Sequence, residues 1–230
     1  MTELERLSGN IGQVTSDFRN IKAAIESAGI EVSEGTPTSQ YGDLVGEVYD
    51  AGKQTEYDKF WDTFQQNGKR TNYNRAFFSE TMAQSGWNDK NYNPKYDIVT
   101  ISGAQTFWCA LITDTKVPIT LKDGCNANTM FGSCTRLVTI PKLILEGTVT
   151  SWANAFVACN ALEEINIEGV IDKDISFASS SKLAHGSIMN IIECLGTVSS
   201  TRTLTLGTEN LAKLTDTEKA IATQKGWTLA

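Results

Sequence analysis

Residues 128–177 read NTMFGSCTRLVTIPKLILEGTVTSWANAFVACNALEEINIEGVIDKDISF, and one pattern occurs in them twice. Phe131, Cys134, Leu137 and Ile140 recur at Phe156, Cys159, Leu162 and Ile165, each 25 residues on (131 to 156). A partial third copy, Phe177, Ser180 and Leu183, follows after 21 more (156 to 177). Between copies, PITLKDG, KLILEGT and INIEGVI place a short alternating strand before Gly124, Gly147 and Gly169. Each unit therefore reads as turn, Phe-x2-Cys-x2-Leu-x2-Ile, strand, Gly. A unit this short cannot bury its apolar side alone, so copies stack and these four positions form ladders through a shared core. The cysteines fit such ladders as small apolar residues in a tight turn. As metal ligands, Cys134 and Cys159 lack the two further ligands that zinc requires.

C-terminal to the third copy, LAHGSIMNIIECLG reads as a helix with Ile188, Ile191, Ile192 and Leu195 inward, and TRTLTLG as a strand. LTDTEKAIATQKG reads as a capped helix and WTL as a last strand. Stacked repeats need an atypical terminal unit over their final apolar face, and residues 184–230 have that composition.

At the N-terminus the apolar positions are Leu4, Leu7, Ile11, Val14, Phe18, Ile21 and Ile25, with steps alternating between three and four. An average of 3.5 residues per repeat keeps one narrow stripe facing a partner helix, the signature of a coiled-coil seam. β-branched residues at both seam positions argue for three strands. The competing account is one amphipathic helix lying on the protein's own body, which would ordinarily carry a wider apolar face. Gly29 ends the helix. After the turn at Gly35-Thr36-Pro37, Thr38 or Ser39 can cap a second short helix with Tyr41, Leu44, Val45 and Val48 on one face.

Residues 51–110 hold twelve of the twenty aromatic residues, interleaved with Asn, Gly, Lys and Arg. Phe60, Trp61, Phe64, Phe77 and Phe78 read as filling a small core. The polar loop from Trp87 to Tyr96 is less easily placed inside, and an Asn/Tyr/Trp-rich loop suits recognition of glycans or protein loops. Trp87, Asn88, Tyr92 and Tyr96 are thus the candidate receptor contacts.

Composition narrows the function. With 40% apolar and 20% charged residues in 230, the chain is neither a disordered polyelectrolyte nor a fibre of collagen type. Nearly all of the net charge of −7 lies in residues 1–50, which hold nine acids and three bases. That sign is wrong for a nucleic-acid surface. The five Cys show no CxxC, so no disulfide framework or zinc ribbon is expected. No run of 18 apolar residues predicts membrane insertion, and MTELERLSGN lacks the features of a signal peptide. G-x-S-x-G, H-E-x-x-H, P-loop, G-x-G-x-x-G and complete EF-hand patterns do not occur. Glu163, Glu164 and Glu168 could in principle form an acid and base pair for glycoside hydrolysis, but at repeat turns they read as solvated surface. Asp172 and Asp174 read as a solvated turn, and the single histidine, His185, as a capping or packing residue. The expectation is a non-enzymatic protein with no cofactor and no metal.

Residues 128–177 resemble the BspA-type leucine-rich repeats found in many bacterial surface proteins and phage virion proteins. FWDTFQQNGKRTNYNRAFF with SGWNDKNYNPKYDI also looks like the segment preceding such repeats in proteins of phages and prophages of gut bacteria. Together these stretches hold 83 of the 230 residues. The resemblance implies an α+β fold with an N-terminal trimeric coiled-coil helix (1–50), an aromatic-rich α/β segment capping the solenoid (51–110), leucine-rich repeats (111–183) and an α/β C-terminal cap (184–230). It further implies a homotrimeric virion structural protein, a fibre or fibre-like appendage of tail, baseplate or head. Such a protein, assembled in the host cytoplasm, would contact other virion proteins through its N-terminal helices. Its repeat domain would meet a host-surface glycan or protein. The alternative is a bacterial or prophage-encoded adhesion or protein-interaction module without a virion role.

Overall fold

Alternation with period two leaves one face of each repeat strand for the core, and strands linked by a full turn of chain can pair only in parallel. The computed structural model describes the backbone of residues 3–37, 40–50, 54–78 and 87–230, and the side chains of these except 3–14, 46–50 and 54–57. Among the described residues the architecture is mixed α/β, with six helices and two small parallel sheets. In chain order come α1 (Glu3–Ser27), α2 (Tyr41–Asp50), α3 (Gln54–Phe64), β1 (Ile98–Thr100), β2 (Ile119–Lys122), β3 (Thr139–Glu146) and β4 (Glu164–Glu168). Then follow β5 (Ile175–Ser176), α4 (His185–Cys194), β6 (Arg202–Thr205), α5 (Thr208–Leu211), α6 (Asp216–Gln224) and β7 (Trp227–Leu229).

The first sheet has the order β1-β2-β3-β4 and the second β5-β6-β7, every pair parallel. Register places Ile98, Ile119, Leu143 and Ile167 side by side, all buried, so one apolar row crosses the whole first sheet. The register of β3 against β4 shifts between Ile140 and Leu143. Pro141, which has no N–H to give a ladder, occupies that irregularity. Gly169 closes β4 at φ 106, where a Cβ would stand 2.4 Å from the Leu145 carbonyl oxygen, so glycine is required there.

The turns between strands stack as regularly as the strands. Phe77, Phe107, Phe131, Phe156 and Phe177 form one column of rings with successive centroids 5.0, 5.3, 5.4 and 4.4 Å apart. Backbone N–H groups of the first three turns donate to the next, Phe77 to Thr106, Phe107 to Met130 and Phe131 to Ala155, and Phe177 donates to Thr205 at the end of β6. Two residues before four of these rings, Arg75, Gln105, Thr129 and Asn154 all have φ between 54° and 56°. For a β-branched residue such as Thr129 this left-handed conformation is strained, and the turn-to-turn hydrogen bonds hold it in place.

All the ladder positions expected from sequence are buried: Phe131, Cys134, Leu137, Ile140, Phe156, Cys159, Leu162, Ile165, Phe177 and Leu183. The stack also begins earlier than residue 111, because Phe77 and Phe107 carry its first two rings. The helices and strands read over residues 183–229 are α4, β6, α6 and β7, and α6 is capped by a reciprocal Thr215–Glu218 box. Thr38 and Ser39, the expected caps of α2, lie outside the described residues, as does the side chain of Val48.

Candidate interaction surface

The loop expected to contact a receptor instead faces inward at Trp87 and Tyr92, while Asn88 and Tyr96 stay partly exposed. Trp87 is 5% exposed and Tyr92 fully buried. The Trp87 ring lies 5.2 Å from Phe77 and 6.0 Å from Trp61, and Tyr92 lies 5.1 Å from Phe77 and 5.6 Å from Phe107. The Tyr92 hydroxyl donates to the Thr115 carbonyl at 2.8 Å, and burial pushes its phenol well above the ordinary tyrosine value. Trp87 and Tyr92 are therefore corrected from receptor contacts to core residues. The physical reason is that the loop satisfies its polar groups within the chain. Asn88 accepts from the Lys90 N–H, and its own N–H donates to Asn91 Oδ1. Tyr96 donates to Asp62 Oδ1 at 2.7 Å, and the same carboxylate pairs with Lys95 at 2.8 Å. Hydrogen bonds from Lys95 and then Tyr96 hold the Asp62 carboxyl below its usual range. The fully buried Gln65 accepts from the N–H groups of Lys95 and Tyr96 and donates to the Tyr96 carbonyl. With its polar groups answered this way, the loop can turn its rings inward.

A second correction concerns the N-terminal stripe. Ile21 is 3% exposed and Ile25 fully buried within a single chain, where α1 packs on α3 and α2. Surface already removed from water has none left to offer a sister helix, so the intersubunit seam is corrected at these two positions. Phe18 is half-buried, edge-on to Tyr41 at 6.2 Å. Leu4, Leu7, Ile11 and Val14 lie outside the residues whose side chains are described. The docking is fixed by an ion pair that sequence reading missed: Asp17 meets Arg70 at 2.8 Å, both side chains under 8% exposed. Arg70 also donates to the carbonyls of Asn72 and Phe64 and sits 4.4 Å above the Phe64 ring. A lone Asp and a lone Arg 53 positions apart (17 to 70) carry no pattern that would signal this pair.

The stacked turns present the most regular outward surface. The residue after each ring leaves the column, giving the row Phe78, Trp108, Gly132, Val157 and Ala178, in which Gly132 is buried and carries no side chain. Phe78 and Trp108 are half-buried with centroids 5.1 Å apart, and the Arg75 guanidinium covers Phe78 at 4.1 Å. Val157 is 42% exposed. Beside this row run Arg75, Gln105, Thr129 and Asn154. A small residue at ring-plus-three, namely Ala110, Cys134, Cys159 and Ser180, was the signal that could have extended the repeat towards the N-terminus. Cys alone was too narrow a criterion.

Elsewhere a groove of about 380 Å³ lies where α4 crosses the β3–β4 edge, lined by Pro141, Glu164, Asn166 and Asn190 among others. Ser187 and Asn190 of α4 accept from the N–H groups of Ile165 and Ile167, so the edge of β4 is already satisfied. Glu163, Glu164 and Glu168 are exposed, and Glu168 pairs with Lys142 at 2.8 Å. His185 is an exposed partner of the capping Glu218 at 2.9 Å. Backbone and side-chain hydrogen bonds from Thr215 hold the Glu218 carboxyl below its ordinary value. Among the described residues no group of His, Cys, Asp and Glu could hold a metal ion, and no helix is long and apolar enough to cross a membrane. No protein-family model matches the chain, and neither does any curated protein or solved structure.

Proposed function

We propose that the chain is a non-enzymatic virion structural protein of a phage, fibre-like, carrying a short solenoid of BspA-type leucine-rich repeats that contacts the host surface. The observation that carries this reading is the column of rings from Phe77 to Phe177, whose successive members lie 4.4 to 5.4 Å apart and whose turns carry Phe78, Trp108 and Val157 on their outer side. A scaffold of that kind presents a preformed binding face at little entropic cost. The virion setting rests on the resemblance of residues 60–98 and 128–177 to phage and prophage proteins. In this reading the protein assembles in the host cytoplasm as a homotrimer, and its N-terminal helices join other virion proteins. Because Ile21 and Ile25 are spent within the subunit, the trimer seam in this reading keeps Leu4, Leu7, Ile11, Val14 and the half-buried Phe18. It takes no nucleic acid, membrane or cofactor.

The intrachain docking of α1 favours a second reading, an adhesion or protein-interaction module that works without a stalk and outside a virion. Light scattering separates the two. The fibre reading expects a trimer at micromolar concentration, reduced to monomers by Ile11→Asp with the thermal midpoint of the body unchanged. A monomeric wild type, together with absence of the protein from purified virions, would leave only the second reading standing.

A further inference from the structure

The outward face of the stacked turns combines three properties that together specify a ligand chemistry. The first is charge. Segments 73–78, 103–110, 126–134, 151–159 and 177–181 contain one charged residue, Arg75, in a chain where a fifth of all residues are charged. A strip with so few charges is poorly suited to a nucleic acid or a charged peptide. The second is side-chain type. Trp108 and Phe78 supply aromatic faces, and next to them Gln105 and Asn154 supply planar amides, while the Thr129 hydroxyl donates to Asn128 Oδ1 at 2.6 Å and keeps its capacity to accept. Among the described residues no side chain pairs with the amides of Gln105 or Asn154. Aromatic rings pack on the apolar C–H faces of sugars, while amides and hydroxyls both give and accept hydrogen bonds to sugar hydroxyls. The third is spacing. Successive turns repeat every 5.3 and 5.4 Å at Phe107, Phe131 and Phe156, close to the length of one sugar residue in an extended glycan. Beyond Trp108 the row holds Gly132, whose Cβ position is filled by the Thr129 methyl and bordered by Val157, so Thr129 continues the face there.

We infer that the turn face from Phe78 to Val157 binds an extended, uncharged glycan, with Trp108 stacking on one sugar and Gln105, Thr129 and Asn154 bonding to hydroxyls along the chain. The inference rests on the host-contact reading above and names the ligand and the face for it. The turns that carry Gln105 and Thr129 are bonded to the turn that follows, as Cys109 to Gly132 and Ser133 to Val157, and Trp108 and Val157 donate within their own turns, so the face is ordered before any ligand arrives.

The test uses the full-length protein on an immobilised array of neutral and uronate-containing oligosaccharides, alongside adsorption to host cells. Expected are retention on neutral chains in preference to uronate-containing ones, and about tenfold weaker binding for Trp108→Ala, the loss of one aromatic stacking contact. Asn154→Asp, which tolerates the same left-handed backbone and adds a carboxylate to the strip, should weaken binding with an unchanged melting curve. Lys142→Ala, on the sheet face, should bind as wild type does. Absence of retention on every neutral chain, or equal cell adsorption by wild type and both strip variants, overturns the glycan strip and leaves host contact standing. Adsorption abolished by protease treatment of the cells but not by periodate would assign a protein receptor and also overturn it. A wild type that adsorbs to no cells removes host contact and the strip together.

Discussion

Cys134 and Cys159 do more in the stack than fill space. Each thiol donates across to the preceding copy, Cys134 to the Phe107 carbonyl at 2.9 Å and Cys159 to the Phe131 carbonyl at 3.0 Å. Ser180 occupies the same position and donates to the Cys159 carbonyl at 3.2 Å, while Ala110 fills it with no donor, so small size is what these positions share. Burial pushes the Cys159 thiol up to about 12, which keeps it protonated and able to donate at neutral pH. The aromatic column sets the largest single-residue cost. Phe156 is 1% exposed between Phe131 at 5.4 Å and Phe177 at 4.4 Å. Phe156→Ala should therefore cost about 3–5 kcal/mol, read from the urea midpoint at constant m-value. A loss below about 1 kcal/mol, typical of a surface change, would mean that the ring column contributes little to stability. The small, buried character of these cysteines was legible in their spacing. Their hydrogen bonds were not, because each acceptor belongs to the copy before, 27 or 28 residues away.

Among the elements, α1 shows most clearly how one pattern admits two structures. Steps of three and four mark a stripe on a helix, and that stripe serves equally against a sister helix or against α3. Packing chose α3 for Ile21 and Ile25, and the Asp17–Arg70 pair specifies the register. A buried ion pair costs much to break from one side, because it leaves a charge without its counterpart. Arg70→Met alone should destabilise by about 3–5 kcal/mol, whereas Asp17→Leu with Arg70→Met should recover most of that loss, as measured by chemical denaturation of both variants. Equal destabilisation by the single and double variants would show that Arg70 acts through its contacts with Phe64 and Tyr73 instead. By contrast α6 was readable directly, since Thr215 and Glu218 stand at capping-box spacing and the bonds between them are local.

Across the whole molecule, the ring column joins the aromatic core near α3 to both sheets. Trp61 and Phe64 contact Phe77, and the stack then runs to Phe177 beside the second sheet. A continuous core of this kind predicts one cooperative transition. Tryptophan fluorescence, which samples Trp61, Trp87, Trp108, Trp152 and Trp227 along the molecule, should report the same midpoint as far-ultraviolet circular dichroism. Midpoints separated by more than their error would divide the stack into independent units. The repeat, its strands and the C-terminal helices follow from the sequence alone, because each depends on periodicity or capping within a few residues. Tertiary structure alone decided that Trp87 and Tyr92 turn inward, that α1 lies on α3, and that the column begins at Phe77. Those outcomes depend on which distant groups answer a loop's polar atoms or cover a helix's apolar stripe, and no local pattern records the identity of a distant partner.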